Sequence, residues 1–181
     1  CIEVQTDAGD IIIIDAGTGI RMLGQELRSL AAEKRHCSLL LTHAHWDHLQ
    51  GLPHFAPVFD PSWSISVYGA ADMGQGGVDV TLRALFNGRN FPVDLDQTAC
   101  VMGIHSFNPG DSFTVGSAVV TTCATNHPGG NIAYKITADG WTFVFTGDHE
   151  GDRPSRDACD EALTAFIQGA DVLAADAQFT R

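Results

Sequence analysis

The chain has 181 residues, 44% of them hydrophobic and 18% charged, which is a globular composition of about one domain's length at ~100–200 residues per domain. Ten Lys and Arg face 22 Asp and Glu, a formal net charge of −12, so the cationic surplus that displaces counterions from nucleic-acid phosphates is missing. No apolar run approaches the ~18–20 residues of a membrane span; neither nucleic acid nor membrane is expected as a partner.

In chain order, Glu3–Asp7 and Ile11–Ile14 are β-prone runs around Ala8-Gly9-Asp10, which predicts a hairpin. The second run stops at the turn-rich Asp15-Ala16-Gly17-Thr18-Gly19. From Ile20 to Arg35, Ile20, Leu23, Leu27, Leu30 and Ala31 recur at helical spacing, predicting one amphipathic helix. Leu39-Leu40-Leu41 reads as a strand buried on both faces and runs directly into Thr42-His43-Ala44-His45-Trp46-Asp47-His48. Leu49–Phe59 predicts a short helix broken at Pro53 and Pro57, Ser64–Tyr68 a strand, Gly69–Gly77 a flexible loop, Val78–Phe86 a helix and Asn87–Thr98 a long loop. Strands are predicted at Phe113–Val115, Ala118–Cys123, Ile132–Ile136, Thr142–Thr146 and Val172–Ala175, with a hairpin turn at Asp139-Gly140. Ser155–Gln168 predicts a helix stopped by Gly169. Together these elements imply an α/β domain with a mixed sheet, taken as a single domain over 1–181. Five widely spaced cysteines without a CxxC pair read as free thiols of a reducing compartment, so the expected location is cytoplasmic. The chain begins at Cys1 rather than Met and reads as a fragment or processed piece.

The chemistry concentrates in His43-x-His45-x-Asp47-His48. Residues i, i+2 and i+4 of an extended segment share a side, so His43, His45 and Asp47 can converge, and His48 can face a second centre as the chain turns. Imidazole and carboxylate are ligands of zinc, iron or manganese. His127, in Asn126-His127-Pro128-Gly129-Gly130, and Asp148, in Thr146-Gly147-Asp148-His149-Glu150, follow predicted strands, where α/β folds gather their ligands. The six residues suffice for two metals. Gly129 and Gly130 could present backbone N–H groups to a phosphate, or simply turn the chain after Pro128. His149, Glu150 and Asp176 are candidates for orienting the ligands, with a plain surface role equally open to His149 and Glu150; Asp15 reads first as a turn-capping carboxylate and second as a buttress of the ligand loop. Trp46 is expected to pack under the ligand loop, with substrate stacking the lesser alternative, and His36, His54 and His105 to be structural or surface residues. Phe91, Pro92 and Val93 read as a hydrophobic plug.

HxHxDH, a downstream loop His and a strand-end Gly-Asp resemble the metallo-β-lactamase-fold hydrolases. The segments Asp15–Gly19, Leu41–His43, His48–Pro53, Asn126–Gly130 and Gly147–Glu150 resemble a bacterial branch of cyclic-nucleotide and cyclic-phosphate phosphodiesterases and, more distantly, the tRNA 3′-processing endonucleases. The resemblance implies an αβ/βα sandwich with the site at one edge of two facing sheets. It implies one metal held by His43, His45 and His127, a second by Asp47 and His48, and Asp148 bridging them. Members of the branch add a further metal-ligating His and a His that assists phosphate chemistry near the C-terminus. The chain as given ends at Arg181 before either, and the fold's terminal strands are expected to lie outside it.

The implied function is a dinuclear metal-dependent hydrolase. A phosphodiesterase acting on a small phosphate ester comes first, with Asp47 and Asp148 as the catalytic carboxylates. The cofactors would be two divalent ions, zinc first, manganese or iron otherwise, and the partner a small molecule; related folds often form a homodimer, but the sequence does not reveal the assembly. Hydrolysis of a carbonyl ester, thioester, lactone or β-lactam is the second reading, because fold and ligands alone do not set the substrate. A non-catalytic iron-binding sensor domain is the third.

Overall fold

A computed structural model describes residues 1–89, 91–150 and 157–177. The chain is mixed α/β and forms two compact units, residues 1–107 and 108–181. Each is built on a five-stranded sheet, where the residue pattern alone implies one mixed sheet.

In the first unit, β1 (Ile2–Gln5) and β2 (Ile11–Ile14) form the predicted antiparallel hairpin, with Ile2 opposite Ile14 and Gln5 opposite Ile11. Strands β3 (His36–Leu40), β4 (Ser64–Ala70) and β5 (Val101–Phe107) follow β2 in parallel, giving the order β1-β2-β3-β4-β5. All four isoleucines of β2 are buried, as are Leu39, Leu40, Ile65 and Val67 beside them. A central parallel strand covered on both faces requires this unbroken aliphatic composition. Because β2 and β3 are parallel, the loops leaving them emerge at the same end of the sheet, and both carry candidate site residues.

Four sequence expectations are corrected here. Helix α1 spans only Ile20–Leu27, not Ile20–Arg35. Ser29 turns its hydroxyl onto the Glu26 carbonyl at 2.8 Å, Ala31 is extended, and Arg35 Nε reaches the Leu30 carbonyl at 3.1 Å, so the chain curls back into β3. Between Trp46 and Phe59 there are three short 3-10 segments rather than an α-helix, since Pro53 and Pro57 remove donors four residues apart. Gly69–Gly77 is not one loop: it holds the end of β4, a 3-10 turn at Met73–Gln75 and the start of α2 (Gly77–Leu85). Strand β5 has no counterpart in the sequence reading. Gly103 and His105 interrupt its apolar run, and it is held by seven register pairs along β4, Ser64 opposite Val101 through Ala70 opposite Phe107.

In the second unit the order is β10-β9-β8-β7-β6. β6 (Ser112–Val115), β7 (Ala118–Thr125), β8 (Asn131–Ala138) and β9 (Trp141–Phe145) are antiparallel neighbours, and β10 (Val172–Ala174) joins β9 in parallel. The β8–β9 turn has Asp139 at φ 54° and Gly140 at φ 78°, the left-handed pair of a type I′ hairpin. Helix α3 (Asp157–Ile167) supplies the crossover that a parallel β9–β10 pair requires. Of the rest of the predicted helix, Ser155 and Arg156 lie outside the described residues and Gln168 is already in the turn that follows. β7 and β9 both run opposite to β8, so the loops after them open at one end of this sheet.

Candidate functional site

In the first unit, β3 ends at Leu40 and releases the ligand loop, while β2 ends at Ile14 and releases Asp15. Asp15 sits at φ 59°, a left-handed conformation that Asp tolerates better than most residues because its short side chain bonds locally. Its backbone N–H donates to the Leu40 carbonyl at 2.9 Å, and its buried carboxylate turns into the ligand loop. The Thr42 N–H donates to Asp15 Oδ1 at 2.8 Å, and the Thr42 hydroxyl lies 2.9 Å from both carboxylate oxygens. His48 Nδ1 is 2.7 Å from Asp15 Oδ2, and His43 Nδ1 is 3.0 Å from Thr42 Oγ1.

These contacts assign the imidazole tautomers. An ionised carboxylate only accepts, so His48 Nδ1 carries the hydrogen toward Asp15. The Thr42 hydroxyl has one hydrogen and gives it to Asp15, so it accepts from His43 Nδ1–H. In the neutral form of either ring Nε2 then has the lone pair that a metal-ligating histidine needs, and in His48 that nitrogen faces the Asp47 carboxylate. One carboxylate thus sets two imidazoles, one directly and one through a hydroxyl. The His43 ring meets His45 edge-on at 4.5 Å and His48 at 4.2 Å between centroids. Asp47 Oδ2 lies 3.4 Å from His48 Nε2, on a side chain 71% exposed. The structure therefore gathers His45 and His48 around the imidazole of His43, with Asp47 beside His48.

Glycines allow this closeness. A Cβ on Gly51 would collide with the Gly17 carbonyl oxygen, and one on Gly17 would come 2.7 Å from the Asp47 carbonyl oxygen. The Asp15 turn and the ligand loop lie backbone to backbone, stitched by Ala16 N–H to His48 O at 2.7 Å and Gly51 N–H to Ala16 O at 2.8 Å.

In the second unit, His127 follows β7 and Asp148 follows β9. His127 Nε2 is 3.5 Å from Asp148 Oδ2, and His127 Nδ1 is 3.5 Å from Glu150 Oε1. The Asp148 loop is held through its backbone. Thr125 Oγ1 donates to the Asp148 carbonyl at 2.8 Å, and the Asp148 N–H donates to Asn131 Oδ1 at 3.3 Å. Asn131 is buried and also donates through Nδ2 to Thr125 Oγ1 at 2.6 Å and to the Thr146 carbonyl at 2.9 Å. Glu150 N–H donates to Asn126 O at 2.6 Å, and Asn126 Nδ2 donates to the Glu150 carbonyl at 2.8 Å. His149 Nδ1 accepts the Asn126 N–H at 3.2 Å, and its Nε2 is 3.1 Å from Asp160 on α3. Asp176 Oδ2 accepts the His149 N–H at 3.3 Å. Gly129 and Gly130 are both left-handed, at φ 85° and 83°, and the Gly130 N–H donates to the His127 carbonyl at 3.0 Å. A phosphate taking the Gly130 amide would have to replace that turn bond.

Thr42, Thr125 and Asn131 carry no role in the sequence reading, although each holds a ligand or its loop. Their signal is a hydroxyl or amide at the end of a buried strand. Trp46 is a correction: it is 63% exposed rather than packed under the ligand loop. Phe91 packs against Phe86 and Phe59, with ring centroids 5.6 and 6.0 Å apart. His54 meets Phe91 edge-on, His105 stacks on Tyr68 at 4.6 Å, and His36 is exposed.

Among solved structures the chain is similar to the metallo-β-lactamase fold protein YhfI from Bacillus subtilis, at 22% identity and TM-score 0.59, over 91% of this chain and 57% of that one. It is similar to Zn(2+)-bound PqqB from Methylobacterium extorquens at 17% identity and TM-score 0.64, over 96% and 58% of the two chains. It is similar to a diphosphatase from the PhnP family at 17% identity and TM-score 0.61, over 94% and 57%. The chain spans a little under three fifths of the length of each. These likenesses show the fold. No curated protein matches the sequence. No helix among the described residues is long and apolar enough to cross a membrane. The family described as the beta-lactamase superfamily domain matches residues 11–181, and the chain, with its two mixed sheets and strand-end histidines, belongs to that superfamily.

Proposed function

We propose that the chain carries a dinuclear metal-dependent hydrolase site that acts as a phosphodiesterase on a small phosphate ester. The observation that carries the metal reading is the Asp15 network, which presents Nε2 of His43 and of His48 as lone-pair donors. Three imidazoles and a carboxylate, His43, His45, His127 and Asp148, each offer one ligand atom of the kind zinc, manganese or iron accepts. Asp47 and His48 would hold a second ion, with Asp148 shared between the two. When bound, a pair of divalent ions supplies hydroxide at neutral pH and offsets charge on phosphoryl oxygens.

The chain's own residues set the geometry for that chemistry. Asp15 and Thr42 accept at Nδ1 of two imidazoles and so direct Nε2 of each to an ion. Asp47, well exposed, can serve as ligand or orient the nucleophile. Thr125 and Asn131 fix the backbone of Asp148 and leave its carboxylate for the site. The contexts Asn126-His127-Pro128-Gly129-Gly130 and Gly147-Asp148-His149-Glu150, with the fold likeness to a diphosphatase, favour a phosphate ester over the carbonyl substrates that the superfamily's name suggests.

The test is elemental analysis of protein purified without added metal, together with hydrolysis of bis(p-nitrophenyl) phosphate. Two zinc or manganese ions per chain with turnover is the expected result. Metal with hydrolysis of a β-lactam or lactone and none of the phosphodiester would replace phosphodiesterase by the carbonyl-ester reading. Iron without turnover of either would replace both by the sensor reading.

A further inference from the structure

The alternate residues of the ligand motif, Ala44 and Trp46, are not spent on the site's polar chemistry. They form one wall of a cavity of about 300 Å³ within the first unit, whose other side is α2. Leu49 and Leu85 are buried at its floor, while Val80, half exposed, and Ala84 line the opposite wall. Thr81 supplies the one hydroxyl of the described lining, and it lies 3.5 Å from the Met73 carbonyl, to which it donates. Gly74 brings the turn before α2 close: a Cβ there would come 2.8 Å from the Ala44 Cβ. Its size falls at the lower end of small-molecule pockets, about 300–1,000 Å³.

An exposed indole beside an aliphatic floor is a surface that gains by covering a flat apolar group. We infer that this cavity is the specificity pocket of the site and takes an aryl or similarly flat apolar arm of the ester. Trp46, between the candidate ligands His45 and Asp47 and 63% exposed, sets this wall beside the ligand loop. A nucleobase fits less well, because its polar edge would leave water for a lining with a single hydroxyl. For a phosphodiester the inference rests on the function proposed above; the cavity's preference for a flat apolar arm does not.

Calorimetric titration of the metal-loaded chain with diphenyl phosphate, dimethyl phosphate and cyclic AMP tests the inference by binding alone. Diphenyl phosphate should bind about tenfold or more tightly than either of the others, a margin that burial of one ring readily supplies. That margin should collapse in Trp46→Ala, which removes the wall, and in Ala84→Trp, which fills the cavity from an exposed helix position. Equal affinities, a preference for cyclic AMP, or an aryl margin that survives both variants would overturn it. N-phenylacetylglycine and N-acetylglycine separate the two ideas. If the phosphates do not bind but the phenylacetyl compound does, with the same loss in Trp46→Ala, the pocket stands and the phosphodiester reading falls. If no aryl compound is preferred in either series, the pocket falls.

Discussion

The two loops that carry the candidate ligands are fastened in different ways. In the first unit the side chains themselves are held, since Asp15 bonds His48 and, through Thr42, His43. In the second unit the backbone is held, since Thr125 and Asn131 bond the carbonyl and amide of Asp148. The first arrangement fixes a protonation state as well as a position. The second fixes the position of Asp148, while His127 beside it at 3.5 Å has the Glu150 carboxylate 3.5 Å from its Nδ1. A carboxylate ligand has no tautomer to choose, so a backbone clamp is enough for it; an imidazole ligand has two, so it needs an acceptor on its other nitrogen.

Substitutions at three positions break or sharpen this contrast. The largest effect is expected from Asp15→Asn. Asn suits the left-handed backbone, and its oxygen can still accept from Thr42, but the amide then faces His48 Nδ1 as a donor. His48 would move its hydrogen to Nε2 and lose its ligating lone pair. Metal affinity should fall about 10–100-fold, as for other losses of an orienting partner, and calorimetric metal titration reads this directly. Unchanged affinity would remove the tautomer argument.

Asn131→Ala should act on stability rather than on protonation. It leaves the Asp148 N–H and the Thr146 carbonyl without their buried partner, at a cost of about 1–3 kcal/mol. Urea unfolding should show the midpoint lowered with the slope retained. A variant of wild-type stability would mean that Thr125 alone suffices to hold the loop.

The smallest step separates hydroxyl from shape at Thr42. Thr42→Val keeps the β-branch and removes the relay between His43 and Asp15, whereas Thr42→Ser keeps the relay. Metal affinity should drop several-fold in Val, on the order of the ~1 kcal/mol that a single hydrogen bond contributes, and change little in Ser. Equal behaviour of the two would show that the hydroxyl does not orient His43.

Much of this architecture is legible in the residues. Ile11–Ile14 and Leu39-Leu40-Leu41 announce buried strands because a sheet covered on both faces admits only apolar side chains. Asp139-Gly140 announces its hairpin because left-handed backbone at both positions suits few residues. β5 was not legible, since Gly103 and His105 give no period and the strand exists through its pairing with β4. The shortening of α1 was not legible either: the apolar spacing continues to Ala31, but the chain must turn back after Leu27 to enter β3.

The same division holds for the site. The sequence by itself determined which side chains can ligate, because HxHxDH after a buried strand and the strand-end His127 and Asp148 are chemical identities at fixed spacing. Tertiary structure decided which nitrogen each imidazole offers, because that depends on Asp15 arriving from a different strand and on Gly17 and Gly51 letting the two loops touch. It also decided that Trp46 faces outward beside α2, since where an indole lies is set by what packs next to it and not by its neighbours in the motif.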